Sequence, residues 1–280
     1  MVGVFAPGRF YGAVQAEHRM ENLSVAHLTG TNPEHEVAEH GHDDAHFVLA
    51  TRGRYLTTAH GEATEGPVLV FNPPGVVHRD CFAGDGGSFL AVSFPAQVWR
   101  ALAERPVTDA LRLSRPRAVG AALRLTQATV ARDPDTLHLE ALALELAAEA
   151  ERPVRETAAR PSWLDAADDF IADRCGDPIT VSDIARAADV HPVYLARCFR
   201  RWLGCSPGER LRQRRLERAA GLMTRREADL SEVALLAGFC DQSHLNRVFR
   251  QAWDMAPGEY RRLARAGWVS YVQDGAGRGG

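Results

Sequence analysis

Lysine is absent from this 280-residue chain: all 33 of its cationic Lys/Arg positions are arginine. That uniformity reads as a compositional habit of the source as much as a functional choice. Cysteine is scarce. The five present (Cys81, Cys175, Cys198, Cys205, Cys240) are odd in number and lack ligand-like spacing, which fits a reducing compartment better than a disulfide framework. Long apolar runs are missing too. None approaches the roughly 20 residues a bilayer crossing needs, and no basic segment leads into an apolar stretch at the N-terminus. A cytoplasmic protein with no membrane partner is expected.

What is present suffices for two cores, since 45% of the residues are hydrophobic. The net charge of −3 is unevenly distributed. Residues 1–160 hold 15 Arg against 20 acidic residues, whereas 186–262 hold 15 Arg against 9. A basic segment in a mildly acidic chain fits a phosphate-binding footprint, and equally a solvated helical surface.

Residues 24–94 read as short strands: His46 to Ala50, Val68 to Phe71 and Ser88 to Phe94, separated by Gly53, Gly61, Gly66, Pro73-Pro74-Gly75 and Gly84 to Gly87. Strands at this spacing predict a small barrel or sandwich. After Pro95 the texture turns helical, over 96–105, 117–131 and 135–151. Leu137, Ala141, Leu144 and Ala148 recur there at helical spacing, a stripe that would pack on the barrel or on a second subunit. The domains expected are 1–152, 153–161 as linker, 162–266, and 267–280 as a flexible tail.

From 162 onward the pattern is helical. Thr180 and Asp183 form a capping-box pair before Val181 to Ala188. A tight turn at Asp189-Val190 follows, then His191 at the cap position with Pro192 at the first helical position. The next helix would bury Leu195, Phe199 and Trp202 and present Arg197, Arg200 and Arg201, as a helix-turn-helix does. The unit then repeats. Ile184-Ala185 is echoed 49 residues later by Val233-Ala234. Beyond the turn the offset becomes 50, pairing Leu195 with Leu245, Phe199 with Phe249 and Pro207-Gly208-Glu209 with Pro257-Gly258-Glu259. Asp229 with Glu232 marks the second start, and Asp241 is placed to cap the helix after it. Between the units, Ser206 to Glu209 opens a helix to about Met223, roughly 25 Å long, able to hold two reading helices near one DNA turn apart. A protein-binding helical repeat is the alternative; short turns and basic exposed faces suit a DNA groove better.

Residues 163–263 resemble the AraC/XylS family of bacterial transcription regulators. The resemblance is carried by Asp229-Leu-Ser-Glu-Val-Ala-Leu-Leu-Ala-Gly-Phe-Cys-Asp-Gln-Ser-His-Leu-Asn-Arg-Val-Phe-Arg-Gln251 and Ala256-Pro-Gly-Glu-Tyr-Arg-Arg262. Departures are Leu245 for an aromatic, Asp254 where Gly is common, and Ala256 for a Ser/Thr cap. The resemblance implies a sequence-specific DNA-binding regulator, commonly an activator working with RNA polymerase, and not an enzyme. Residues off the core on the reading helices are the DNA-contact candidates: His191, Val193, Tyr194, Arg197, Arg200 and Arg201 in the first unit, and Gln242, Ser243, His244, Asn246, Arg247 and Arg250 in the second. Arg197 and Arg247 lead as base readers, Arg201 and Arg250 as phosphate contacts, and Asp241 as a cap.

Eight of the 11 histidines lie in 1–78. His40 and His42 stand two apart, facing one side of a strand, and strand return could bring His46 and His78 beside them. Four convergent imidazoles can hold a divalent ion such as Zn, Fe, Ni or Mn. Residues 36–94 resemble a cupin barrel through His40-Gly-His42, His46 in place of a Glu, Gly53, and Pro73-Pro-Gly75-Val-Val-His78, with Phe82 where an Asn turn residue is usual. The fold expected is therefore two-domain α+β: an N-terminal cupin-like β-barrel with trailing helices, then an all-α domain of two helix-turn-helix units joined by a long helix. In the family such a barrel senses a small molecule and contributes to a homodimer. Metal-dependent catalysis in the barrel is the alternative, needing an open metal position and a base, with Glu36, Glu39 and Asp43 nearby.

Overall fold

The computed structural model describes residues 3–6, 8–58, 60–64, 66–103, 107–150, 161–225 and 229–265. Nearly all of the expected linker 153–161 and the whole tail 267–280 lie outside these. The chain divides into two compact units, Met1–Glu151 with Arg250–Gly280, and Arg152–Phe249.

The first unit is built on a seven-stranded sheet. Its elements are β1 (Gly3–Phe5), β2 (Ala13–Arg19), β3 (Ser24–Gly30), β4 (His40–His42), β5 (Ala45–Thr57), β6 (His60–Thr64), β7 (Val68–Asn72), β8 (Asp80–Phe94) and β9 (Leu111–Arg112). The path runs β2-β3-β8-β5-β7-β9, with β6 beside β5. The closed barrel expected from the sequence is not found among the described residues. Closure would need the two edge strands joined by a ladder. Here β9 has two residues, and β1 and β4 pair in parallel with each other outside the sheet. The β-rich layer is otherwise as expected.

The first part of β5, residues 45–51, is buried on both faces, which explains the apolar run from Phe47 to Ala50. Phe47 packs with Phe71, Phe94 and Trp99 at centroid distances of 4.7, 6.2 and 6.0 Å. This side is covered by helices α1 (Ala96–Leu102) and α2 (Pro116–Thr129). On the other face Val48 and Ala50 join Val70, Phe82, Phe89 and Ala91 in a second cluster. Helix α3 (Thr136–Ala150) packs on α2 and buries Leu139, Leu142, Ala143 and Leu146. The stripe read from the sequence lies on the opposite side: Ala141 and Ala148 are exposed, and Leu137 and Leu144 are 74% and 41% exposed.

In the second unit α4 (Trp163–Arg174), α5 (Val181–Ala187), α6 (Pro192–Cys198), α7 (Pro207–Arg225), α8 (Leu230–Leu236) and the start of α9 (Gln242–Trp253) follow one another. The repeated positions are the core: Ile184 and Val233, Leu195 and Leu245, Phe199 and Phe249 are all fully buried. Thr180 and Asp183 form the expected reciprocal capping box. His191 accepts from the Val193 N–H at 3.3 Å, and Asp241 from the His244 N–H at 2.7 Å. Asp229 makes no capping hydrogen bond, so the start signal read there is only half used.

The repeat extends to backbone conformation. The turn residues Asp189 and Gly238 are both left-handed (φ 52° and 85°), and so are Gly204 and Asp254 (φ 69° and 52°). At each paired site one copy has glycine and the other carries the strain in aspartate, which tolerates that region better than most side chains. Residues 257–265 form a further helix, α10, in the compact unit that contains the sheet. There Tyr260, fully buried, donates its hydroxyl to the Thr51 carbonyl at 2.9 Å.

Candidate DNA interface and histidine site

Helix α6 begins at a proline that needs no N–H partner, and His191 caps its second residue. With Leu195, Cys198 and Phe199 turned inward, Val193, Tyr194, Arg197, Arg200 and Arg201 are left on the outside. Val193 is 71% exposed. The Arg197 guanidinium sits over the Tyr194 ring, 5.1 Å from its centroid, and Tyr194 rests against Trp163 at 5.5 Å. Stacking of this kind limits the rotamers Arg197 samples before it meets a partner. After Cys198 the helix widens into a π-turn over Phe199–Leu203, which the sequence did not foretell. Arg200 and Arg201 are exposed on that turn, Arg201 lying 5.2 Å from the Trp202 ring centroid.

Helix α9 is regular. Gln242, Ser243, Arg247 and Arg250 are exposed and Asn246 is half-buried. His244 is tied inward: its ring meets Phe239 edge-on at 5.3 Å, and Nδ1 accepts from the Cys240 N–H at 3.5 Å. Val248 is half-buried.

The connector α7 spans 19 residues, roughly 28 Å. Much of its positive charge is engaged within the protein. Arg210 grips Asp168 through Nε and Nη2, both at 2.6 Å, and Arg214 reaches the same carboxylate at 2.9 Å. Burial would raise the Asp168 carboxyl, but Arg210 and Arg214 hold it down at about 2. Arg215 donates to the carbonyls of Cys175 and Asp177, and Arg218 to that of Leu236. Four arginines in the basic segment thus brace helices, so the charge count overstated what is available to phosphates. Gly238 makes room for this brace, since a Cβ there would stand 2.5 Å from the Cys175 carbonyl and 2.8 Å from Arg215 Nε.

In the first unit all four expected histidines are buried. His40 and His42 come from β4, His46 from β5, and His78 from the turn after β7, where Gly75 takes the left-handed conformation (φ 82°). His42 is 4.2 Å from His46 and 5.3 Å from His78 between ring centroids, and His46 is 5.0 Å from His78. They form two overlapping groups of candidate ligands, His40, His42 and His78, and His42, Asp44 and His46, whose ligand atoms within each group all lie within 4.8 Å of one another. Asp44 was missed by sequence reasoning. Its signal was present, because His40, His42, Asp44 and His46 continue one two-residue alternation. Glu36, Glu39 and Asp43, the carboxylates noted instead, are exposed.

The donor set suits a metal. His40 Nδ1 lies 2.9 Å from the Ala38 carbonyl and His78 Nδ1 3.1 Å from the Val76 carbonyl. A carbonyl only accepts, so each Nδ1 carries the proton and each Nε2 presents a lone pair. Both ring nitrogens of His42 are buried without a hydrogen-bond partner. Burial, with His46 next, pushes the His42 imidazole down to about 2. Burial brings His78 to about 4 and also lowers His40. Neutral imidazoles in a dry pocket are ready ligands. Asn72 bridges the cluster to Asp80, with Nδ2 at 3.1 Å from both His46 Nε2 and Asp80 Oδ2.

Comparison with known proteins places both halves. Residues 184–263 match a helix-turn-helix domain family, and residues 22–147 match the family of AraC-like ligand binding domains. Regulatory protein SoxS of Salmonella typhimurium is 31% identical over 33% of this chain and 87% of its own length. An uncharacterized HTH-type transcriptional regulator of Escherichia coli, YijO, is 33% identical over 38% of each chain, so this chain spans well under two thirds of that relative. Among solved structures, the C-terminal domain of AraT, a response regulator from Geobacillus stearothermophilus, is 28% identical over 38% of this chain and 88% of that chain, with a TM-score of 0.36. Among the described residues no helix is long and apolar enough to cross a membrane. With its match to SoxS and to both domain families, the chain belongs to the AraC/XylS-type family of DNA-binding transcription regulators, a family of regulators and not of enzymes.

Proposed function

We propose that this regulator reads a specific DNA sequence with α6 and α9, works as a homodimer, and activates transcription through RNA polymerase when a small molecule binds its N-terminal unit. The observation that carries the reading is the duplicated unit: two helices with matching buried positions, each presenting exposed arginines, Arg197 and Arg200 on one side and Arg247 and Arg250 on the other. Arg197 and Arg247 read bases, Arg201 and Arg250 hold phosphates, and His191, Val193, Tyr194, Arg200, Gln242, Ser243, His244 and Asn246 complete the surface. His191 and His244 act chiefly by shaping the ends of their helices, since each has a ring nitrogen engaged by a backbone N–H.

The exposed Leu137, Ala141, Leu144 and Ala148 stripe of α3 is the dimer face in this reading. His40, His42, His46 and His78, with Asp44, would hold a divalent metal (Zn, Fe, Ni or Mn), which ties β4 and the turn at His78 to β5 and helps position the effector. The test is recovery of genomic fragments bound by the purified protein. A shared motif with two blocks about 10 base pairs apart is the expected result. Fragments without any shared sequence would overturn it.

A further inference from the structure

The buried histidines and Asp44 differ in which of their atoms are free, and their neighbours sort them. His40 and His78 each turn Nδ1 to a carbonyl and leave Nε2 as a lone pair. For His42 and His46 the deciding neighbour is Asp44. Its Oδ2 accepts from the Gly8 N–H at 3.0 Å, and its Oδ1 stands 3.6 Å from His42 Nδ1 and 3.7 Å from His46 Nδ1. A buried carboxylate oxygen repels a lone pair and draws an N–H, so it favours the proton on Nδ1 of both rings.

The far nitrogens of these two rings then part company. Asn72 Nδ2 lies 3.1 Å from His46 Nε2 and 3.1 Å from Asp80 Oδ2. The Asp80 carboxylate decides which end of the amide points there, because an amide oxygen beside it would be repelled. The amide nitrogen carries two hydrogens, one for Asp80 and one for His46. His46 Nε2 therefore gives its lone pair to Asn72. His42 Nε2 is buried too, but it has no partner. Free lone pairs are left on His40, His42 and His78, which form one of the two groups whose ligand atoms lie within 4.8 Å of one another. An ion in the other group, between Asp44 and His46, would take His46 Nδ1. That would move the ring proton to Nε2, against the amide hydrogens of Asn72.

We propose that the ion is bound directly by His40, His42 and His78, each through Nε2, and that Asp44 and His46 are positioning residues. Asp44 orients His42 as an outer carboxylate orients a ligating imidazole, and Asn72 keeps His46 out of the coordination shell. This rests on the reading of the cluster as a metal site, whose tie to β5 then runs through Asp44, facing both His42 and His46. The test is nitrogen NMR of the full chain, made with isotope-labelled histidine, as zinc is added to metal-free protein. Each ring is assigned through couplings to its own backbone. Zinc moves the Nε2 signals of His40, His42 and His78 to the metal-bound position, while His46 keeps its proton on Nδ1. Zinc titration of folded variants completes the test. His46→Gln keeps about one zinc per chain, Asp44→Asn binds zinc about 10- to 100-fold more weakly, and His78→Gln loses more than either. A His46 nitrogen at the metal-bound position, or a folded His46→Gln that loses zinc as His78→Gln does, overturns the division of roles and leaves the metal site standing. An unchanged affinity in Asp44→Asn overturns the role of Asp44. No histidine signal moved by zinc overturns the division and the metal site together.

Discussion

His40 and His78 exchange both of their main-chain hydrogen bonds, His40 N–H to the His78 carbonyl at 2.9 Å and His78 N–H to the His40 carbonyl at 2.8 Å. This reciprocal pair sets their rings 4.7 Å apart between centroids, each with its Nδ1 engaged by a carbonyl two residues earlier. Their separation is therefore fixed by backbone pairing and does not depend on an ion being present.

Metal content follows from that preorganisation. Protein purified without chelators or metal-binding tags is expected to carry close to one divalent ion per chain, and His42→Ala to lose most of it. Elemental analysis finding less than about 0.1 ion per chain in the wild type rejects the site.

The α3 stripe makes a separate claim. Leu144→Glu is expected to give monomer in light scattering and to weaken DNA binding, because a carboxylate would have to be desolvated in the interface. An unchanged mass from a folded variant removes α3 from the dimer.

His27 supplies a pH dependence away from the histidine cluster. It is buried in β3, and burial lowers its pKa from 6.5 to about 4. The unfolded chain takes up this proton at a higher pH than the folded one, so stability falls as pH drops from about 6.5 toward 4. The loss attributable to His27 at the acid end is about 3 kcal/mol at most. Urea midpoints measured across this range should fall for the wild type and fall less for His27→Gln. Parallel curves would contradict the assignment.

The left-handed turn residues allow a paired substitution. Asp254→Gly is expected to stabilise by about 1 kcal/mol, since glycine relieves the φ of 52°. Gly204→Ala, at the repeat-related site with φ 69°, is expected to cost about 1 kcal/mol or more. Denaturant midpoints moving in the same direction for both variants would break the proposed equivalence of the two sites.

The second unit was legible because its information is local: the spacing of Ile184, Leu195 and Phe199 and their repeats Val233, Leu245 and Phe249 sets helix length and face directly. The caps at Thr180, His191 and Asp241 were legible for the same reason. The role of the arginines was not. Arg197 and Arg210 look alike in sequence, and only packing of α4 beside α7 shows that Arg210 answers Asp168. In the first unit, strand spacing revealed the histidines and β5, but closure depends on which edges pair, and the path among the described residues ends at β2 and the two-residue β9. Phe82, which reads as a missing turn residue, lies within β8 and fills the space left by three glycines. Ala256, which cannot cap, still has its N–H accepted by Glu259 at 2.7 Å, so the start of α10 is firmer than the sequence suggested.

Sequence-specific reading by α6 is tested most directly by a salt titration of Arg197→Ala and Arg250→Ala on a recovered duplex and on its scrambled counterpart. Arg197→Ala is expected to lose about tenfold or more on the specific duplex and much less on the scrambled one, because a base contact is lost. Arg250→Ala is expected to weaken both about equally and to flatten the salt dependence by roughly one phosphate contact. Equal losses on the two duplexes for Arg197→Ala would contradict the assignment, reduce that residue to a backbone contact, and move the reading role to His191 and Val193.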